Sequence, residues 1–242
     1  TVAEHGNDPW VHVIDPFVEA SVLHTSGNAI LGSLPGRGLA ALSGTAPFTD
    51  VGVASTLGRW GRREALEVMV SGGAAYGSRG APSGVTPLLR GRVGATLAFF
   101  GAHLDTAHVV GDASEASGST VVGRVRIGPT DSVRLLANLA TREGIDPVLA
   151  RALTDAEVEV PSGFLAREGT TGGAGLVVPW GRVLTTSFGA DADATVWELV
   201  AARAGIELRD RCQCVTLRVN GSHRIGRNGV DVWLALDFAA DR

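Results

Sequence analysis

Two segments near the end of the chain alternate apolar and polar residues without a break. In CQCVTLRVNG, Val215, Leu217 and Val219 share one face; in NGVDVWLALDF, Val230, Val232, Leu234, Leu236 and Phe238 do the same. A period of two belongs to a strand with one covered face. The pattern therefore predicts a C-terminal β-hairpin, joined through the long connection NGSHRIGRNG. Residues 85–127 also read as extended, through RVGATLAFFG, AHLDTAHVVG and STVVGRVRIG. In the last of these, Arg124 and Arg126 fall on one face and Val125 and Ile127 on the other. LVVPWGRVLTTSF is extended too.

Other segments carry a helical period. DPFVEASVLHTSGN has Asp15 as an N-cap, Pro16 in the first turn and Gly27-Asn28 as a stop. TDVGVASTLGRWGRREALEVMVSGG places Val53, Leu57 and Trp60, then Leu66 and Met69, at spacings of one or two helices. PTDSVRLLANLATREG and DPVLARALTDAE predict two short helices. In DATVWELVAARAG, Asp193 caps, Trp197, Val200 and Ala204 share a face, and Gly205 ends the element. SGGAAYGSRGAPSG reads as a loop, and PSGFLAREGTTGGAG as a loop with room for a short strand. This mixture predicts an α/β or α+β protein: a mixed, mainly antiparallel sheet with helices packed on it. One domain over 1–242 is expected, and any subdivision falls at the helical segment near 128–165.

Composition narrows the function classes. A chain of 242 residues, 45% hydrophobic and 19% charged, is long and apolar enough for a substantial core. It holds no run of roughly 18 apolar residues and opens with no charged-then-apolar leader. The expectation is a cytoplasmic protein without a membrane partner. All 21 basic residues are arginine, a bias that a GC-rich genome produces. Without lysine there is no Schiff-base anchor and no GxxxxGK[ST] phosphate loop. A net charge of −4 makes nucleic acid an unlikely partner. Arg209, Arg211, Arg218, Arg224 and Arg227 alternate with Asp210, Asp231 and Asp237, as on a solvated mixed-charge face. Cys212 and Cys214 read as small strand residues in a reducing compartment, since i and i+2 on a strand are badly placed for a disulfide. The tryptophans read mostly as core filling.

The densest candidate chemistry lies in AFFGAHLDTAHVVGD, where His103, Asp105, His108 and Asp112 fall within ten positions. A hydrolytic metal centre needs such ligands at a strand end, with one coordination position open for water. GAHLD resembles the first metal motif of the zinc aminopeptidase and deacylase families, a strand ending in Gly-His-x-Asp. That resemblance implies a divalent metal such as zinc on His103, oriented by Asp105. His108, Asp112 and Asp131 are the further candidate ligands, and Glu168 the candidate general base. The families' Glu-Glu pair is absent from this chain. The implied activity is metal-dependent amide or peptide hydrolysis.

The competing expectation, and the one the sequence favours, is a protein-binding or assembly role with self-association or a protein partner. The order of helices and strands resembles, in pattern alone, the actinobacterial chaperones of type VII secretion. A Gly- and Ala-rich shell subunit fits the composition equally.

Overall fold

A computed structural model describes residues 2–3, 9–25, 44–59, 64–76, 84–110, 117–129, 131–154, 161, 164, 168–210, 212, 214–226 and 228–238. Its strands are β1 (Val2–Ala3), β2 (Trp10–Thr25), β3 (Gly44–Arg59), β4 (Ala65–Tyr76), β5 (Val85–Thr96), β6 (Phe100–Val109) and β7 (Gly118–Ile127). They continue as β8 (Arg134–Glu143), β9 (Gly169–Trp180), β10 (Leu184–Asp193), β11 (Glu198–Arg209), β12 (Val215–Arg224) and β13 (Asp231–Phe238). The helix α1 (Pro147–Leu153) lies between β8 and β9. Every strand pairs antiparallel with the next, giving one 13-stranded meander in sequence order.

The architecture corrects the α/β or α+β expectation, because the fold is nearly all antiparallel β-sheet. In the segments 15–28, 49–73, 129–144 and 193–205 the described residues form strands β2, β3, β4, β8 and β11 where helices were expected, while 26–28, 60–63 and 130 lie outside the described residues. Val51, Val53 and Leu57 all point to one face of β3 and alternate with Asp50, Gly52 and Ala54. The helical reading arose because alanine and glycine on the opposite face count as apolar and blur the period of two. Trp197 lies in the turn between β10 and β11, with φ of 56°, and on no helical face. The helix expected after Asp146 does form: the Asp146 carboxylate accepts from Val148 N at 2.8 Å and Leu149 N at 3.4 Å, and Pro147 opens the first turn.

Register sorts the side chains onto two faces, since residues paired across strands share a face. Val18 faces Val51, while Glu19 faces Asp50. Val68, Val93, Leu104 and Leu139 fall on the first face; Arg92, Asp105 and Asn138 fall on the second. The second face carries α1. Phe48, Ala75, Leu88, Val109, Val122 and Ala140, from six consecutive strands, cluster with Val148, Leu149 and Leu153 of α1 and with Phe164. Laid flat, six strands would span about 24 Å, against a helix about 10 Å wide. The sheet therefore curls around α1, which leaves β8 and reaches across to touch β2 and β3. The face bearing α1 is the inner one.

Connections alternate between the two ends of the sheet. The junctions β2–β3, β4–β5, β6–β7, β8–β9, β10–β11 and β12–β13 leave the strands on the α1 side, and β1–β2, β3–β4, β5–β6, β7–β8, β9–β10 and β11–β12 leave them on the opposite side. The longest all fall at the α1 end. The tight turns opposite use glycine where φ is positive, as at Gly181 (74°) between β9 and β10.

Candidate functional site

The inner face is charged and the outer face apolar. Asp50, with its side chain fully buried, accepts from Ser71 Oγ at 2.7 Å and from Arg90 Nη1 at 2.8 Å. The same Arg90 nitrogen donates to Glu19 Oε2 at 2.8 Å, and the guanidinium lies 5.2 Å from the centre of the Phe48 ring. Arg92 Nε donates to Asp105 Oδ1. Arg203 Nη2 donates to the buried Asp191 Oδ1 at 2.7 Å. Glu207 joins Arg209 and Arg218. Arg142 holds the α1 connection in place by donating to Ile145 O at 2.7 Å and Phe164 O at 3.1 Å. Buried ions persist where each finds a partner, and these partners come from neighbouring strands.

The outer face inverts the usual surface. Ile14, Val18, Val22, Val51, Val70, Leu89, Val93, Leu135, Phe188, Ile206 and Leu234 are all exposed there. Scattered exposed apolar residues are ordinary, but a continuous apolar face over twelve strands is not. Aromatic residues edge it. Trp180, Phe99 and Phe100 lie at the tight-turn end, where Trp10 stacks with Arg59 at 6.0 Å; Tyr76 and Trp197 lie at the other end. None of the described tryptophan side chains is buried, so the core-filling expectation fails for Trp10, Trp180 and Trp197.

Between the inner wall and the tight-turn end lies a cavity of about 430 Å³. His103, Arg124, Arg126, Arg134 and Arg203 line it, with Asn138, Ser187 and Asn220. Glycines on β9 and β10 make the room: Gly173, Gly175 and Gly189 face inward opposite the long side chains. A side chain at Gly173 would collide with Asn138 Oδ1 and Asp191 Oδ1. At Gly94 it would come within 2.7 Å of His103 Nδ1.

The candidate metal residues are scattered by the same alternation. His103 and Asp105 face inward on β6, whereas His108 faces outward. Asp105 is engaged by Arg92. Asp131 is exposed in the β7–β8 turn, and Glu168 lies at the opposite end of the sheet, 3.8 Å from Arg142. Asp112 falls outside the described residues. Among the described residues, the one group of three ligand-bearing side chains within reach of one another is Asp210, Cys212 and Cys214. There the two sulfurs are bonded to each other. This disulfide corrects the expectation of free cysteines: the pair straddles the β11–β12 turn with Cα atoms 5.3 Å apart, a separation disulfides span.

The inward arginines were visible in the sequence as the alternation of Arg124 and Arg126 with Val125 and Ile127. Their convergence with Arg134 and Arg203 was not, because it depends on the pairing of β7 through β11. No protein-family model, curated protein or solved structure matches this chain.

Proposed function

We propose that the chain is a membrane-spanning β-barrel of the outer-membrane type, with α1 seated in its lumen as a plug and a polar interior that admits small solutes. The observation that carries this reading is the alternation itself: apolar residues outward and charged residues inward, strand after strand from β2 to β13. Water-soluble sheets place these classes the other way round, and a lipid-facing barrel needs this one. Strand length agrees. Ten residues at about 3.3 Å each, tilted by about 45°, span roughly 23 Å, close to an apolar band of about 25 Å. The aromatic residues at both rims match interfacial girdles.

No helix among the described residues is long and apolar enough to cross a membrane, which leaves crossing by strands untouched. The proposal departs from the cytoplasmic, membrane-free protein expected from sequence. It includes closure of β13 onto the β1–β2 edge, since an open edge cannot face hydrocarbon. An assembly role would instead need protein to cover the outer face. That face runs around the whole sheet, which suits a lipid annulus better than one docking partner. The hydrolase reading gains no support from the scattered ligands.

The test is folding into detergent micelles or lipid vesicles, followed by gel electrophoresis with and without boiling. A barrel migrates differently before and after boiling and precipitates without amphiphile. A monodisperse protein in plain buffer, with no shift on boiling, would overturn the reading; a large detergent-free assembly by native mass spectrometry would favour the assembly role.

A further inference from the structure

The inner face is unevenly charged along its length. Near α1, Arg90 and Arg92 are matched by Glu19, Asp50 and Asp105. Among the described residues, the lining of the cavity towards the tight turns holds four arginines and His103 and no carboxylate, while Asp191 and Glu207 lie close to Arg203 and Arg134 from outside that lining. Of these arginines, Arg203 is paired with Asp191 behind it. Arg126 is held by main-chain carbonyls, donating from Nη2 to Leu97 O at 3.0 Å and from Nη1 to Gly128 O. Carbonyls fix its direction without cancelling its charge. Arg124 forms no ion pair among the described residues, and it is a charged neighbour of His103.

We propose that this cavity is a binding site for a phosphate group, free or carried by a small molecule. The proposal rests on the barrel reading only in treating the cavity as part of a lumen. Arg124 and Arg126 of β7 line the cavity with Arg134 of β8 and Arg203 of β11, so an anion held there is surrounded by guanidinium forks from more than one strand, and a tetrahedral one offers oxygens in several directions. A planar carboxylate has two oxygens and leaves some of the forks unused. The volume of about 430 Å³ lies within the range of small-molecule sites and exceeds the need of the ion alone. Asn138, Ser187 and Asn220 supply neutral polar groups for the rest of such a ligand.

The experiment is calorimetric titration of the folded full chain with inorganic phosphate, and separately with magnesium chloride. It is run in micelles, or in plain buffer if the protein proves to need no amphiphile. Saturable phosphate binding is expected, weakened by added salt, with no magnesium binding. Arg124→Gln is expected to weaken phosphate binding at least tenfold while keeping the wild-type gel shift. If that variant does not fold, Arg134→Gln takes its place with the same expectation. Absence of phosphate binding, or equal affinity in a folded variant, would overturn the site and leave the barrel intact. Failure of the barrel is read independently, from the gel shift and the need for detergent.

Discussion

Asp191 on β10 and Arg203 on β11 meet on the inner face at 2.7 Å, the carboxylate fully buried and the guanidinium nearly so. The pair sits over Gly173, whose lack of a side chain leaves space for the Asp191 oxygen. Removing one partner strands a buried charge, a loss of about 3–5 kcal/mol in comparable pairs. Asp191→Ala is therefore expected to lower the urea midpoint of the micelle-folded protein markedly. Asp191→Asn, which keeps an acceptor, should fall between. An unchanged midpoint in Asp191→Ala would mean that water reaches this pair freely.

The outer face makes a depth-dependent prediction. Leu104 lies mid-strand on β6 beside Val93, whereas Val85 opens β5 near the rim. In a bilayer, Leu104→Arg should cost about 2–4 kcal/mol and Val85→Arg about 0–1 kcal/mol. Folding titrations in vesicles measure both. Equal and small costs would indicate that water, not lipid, covers this face.

Closure of the sheet makes a prediction about β13. On a free edge, alternate amides of Asp231–Phe238 would lack partners and exchange rapidly, while those bonded to β12 would be protected. A closed barrel protects both sets, apart from residues at the rim. Amide hydrogen exchange by nuclear magnetic resonance in micelles distinguishes the two patterns residue by residue.

The legible parts of this fold were those where both faces differ sharply. Val215, Leu217 and Val219 alternate with Thr216, Arg218 and Asn220, so β12 could be read directly. In β4 and β11 the inward residues include Met69, Ala75, Ala201 and Gly205, small or apolar themselves, and the alternation dissolves into a helical period. The inner face of a curled sheet requires such residues wherever long side chains from adjacent strands cross it. The HxD segment was legible as an inward pair, His103 and Asp105. Its other proposed ligands were not, because a strand sends His108 to the opposite face, and loop positions say nothing of which end of the sheet they occupy. The disulfide depended on a turn at 210–214 that a strand reading had straightened.

Helix α1 offers the last prediction. Helix α1 has only seven residues, too short to hold itself together in water. It persists through Asp146 at its N-cap and through Val148, Leu149 and Leu153 packed against the inner wall. Asp146→Ala removes the acceptor of two amides and should cost about 1 kcal/mol. Leu149→Ala leaves a void in the cluster and should cost about 2–5 kcal/mol. Both residues belong to the helix and its cap and to none of the strand pairs of the sheet. If α1 blocks the lumen, each variant should keep its gel shift on boiling yet conduct more ions across a planar bilayer than the wild type, Leu149→Ala the more. Equal conductance in all three folded proteins would mean that α1 does not block the path of the ions.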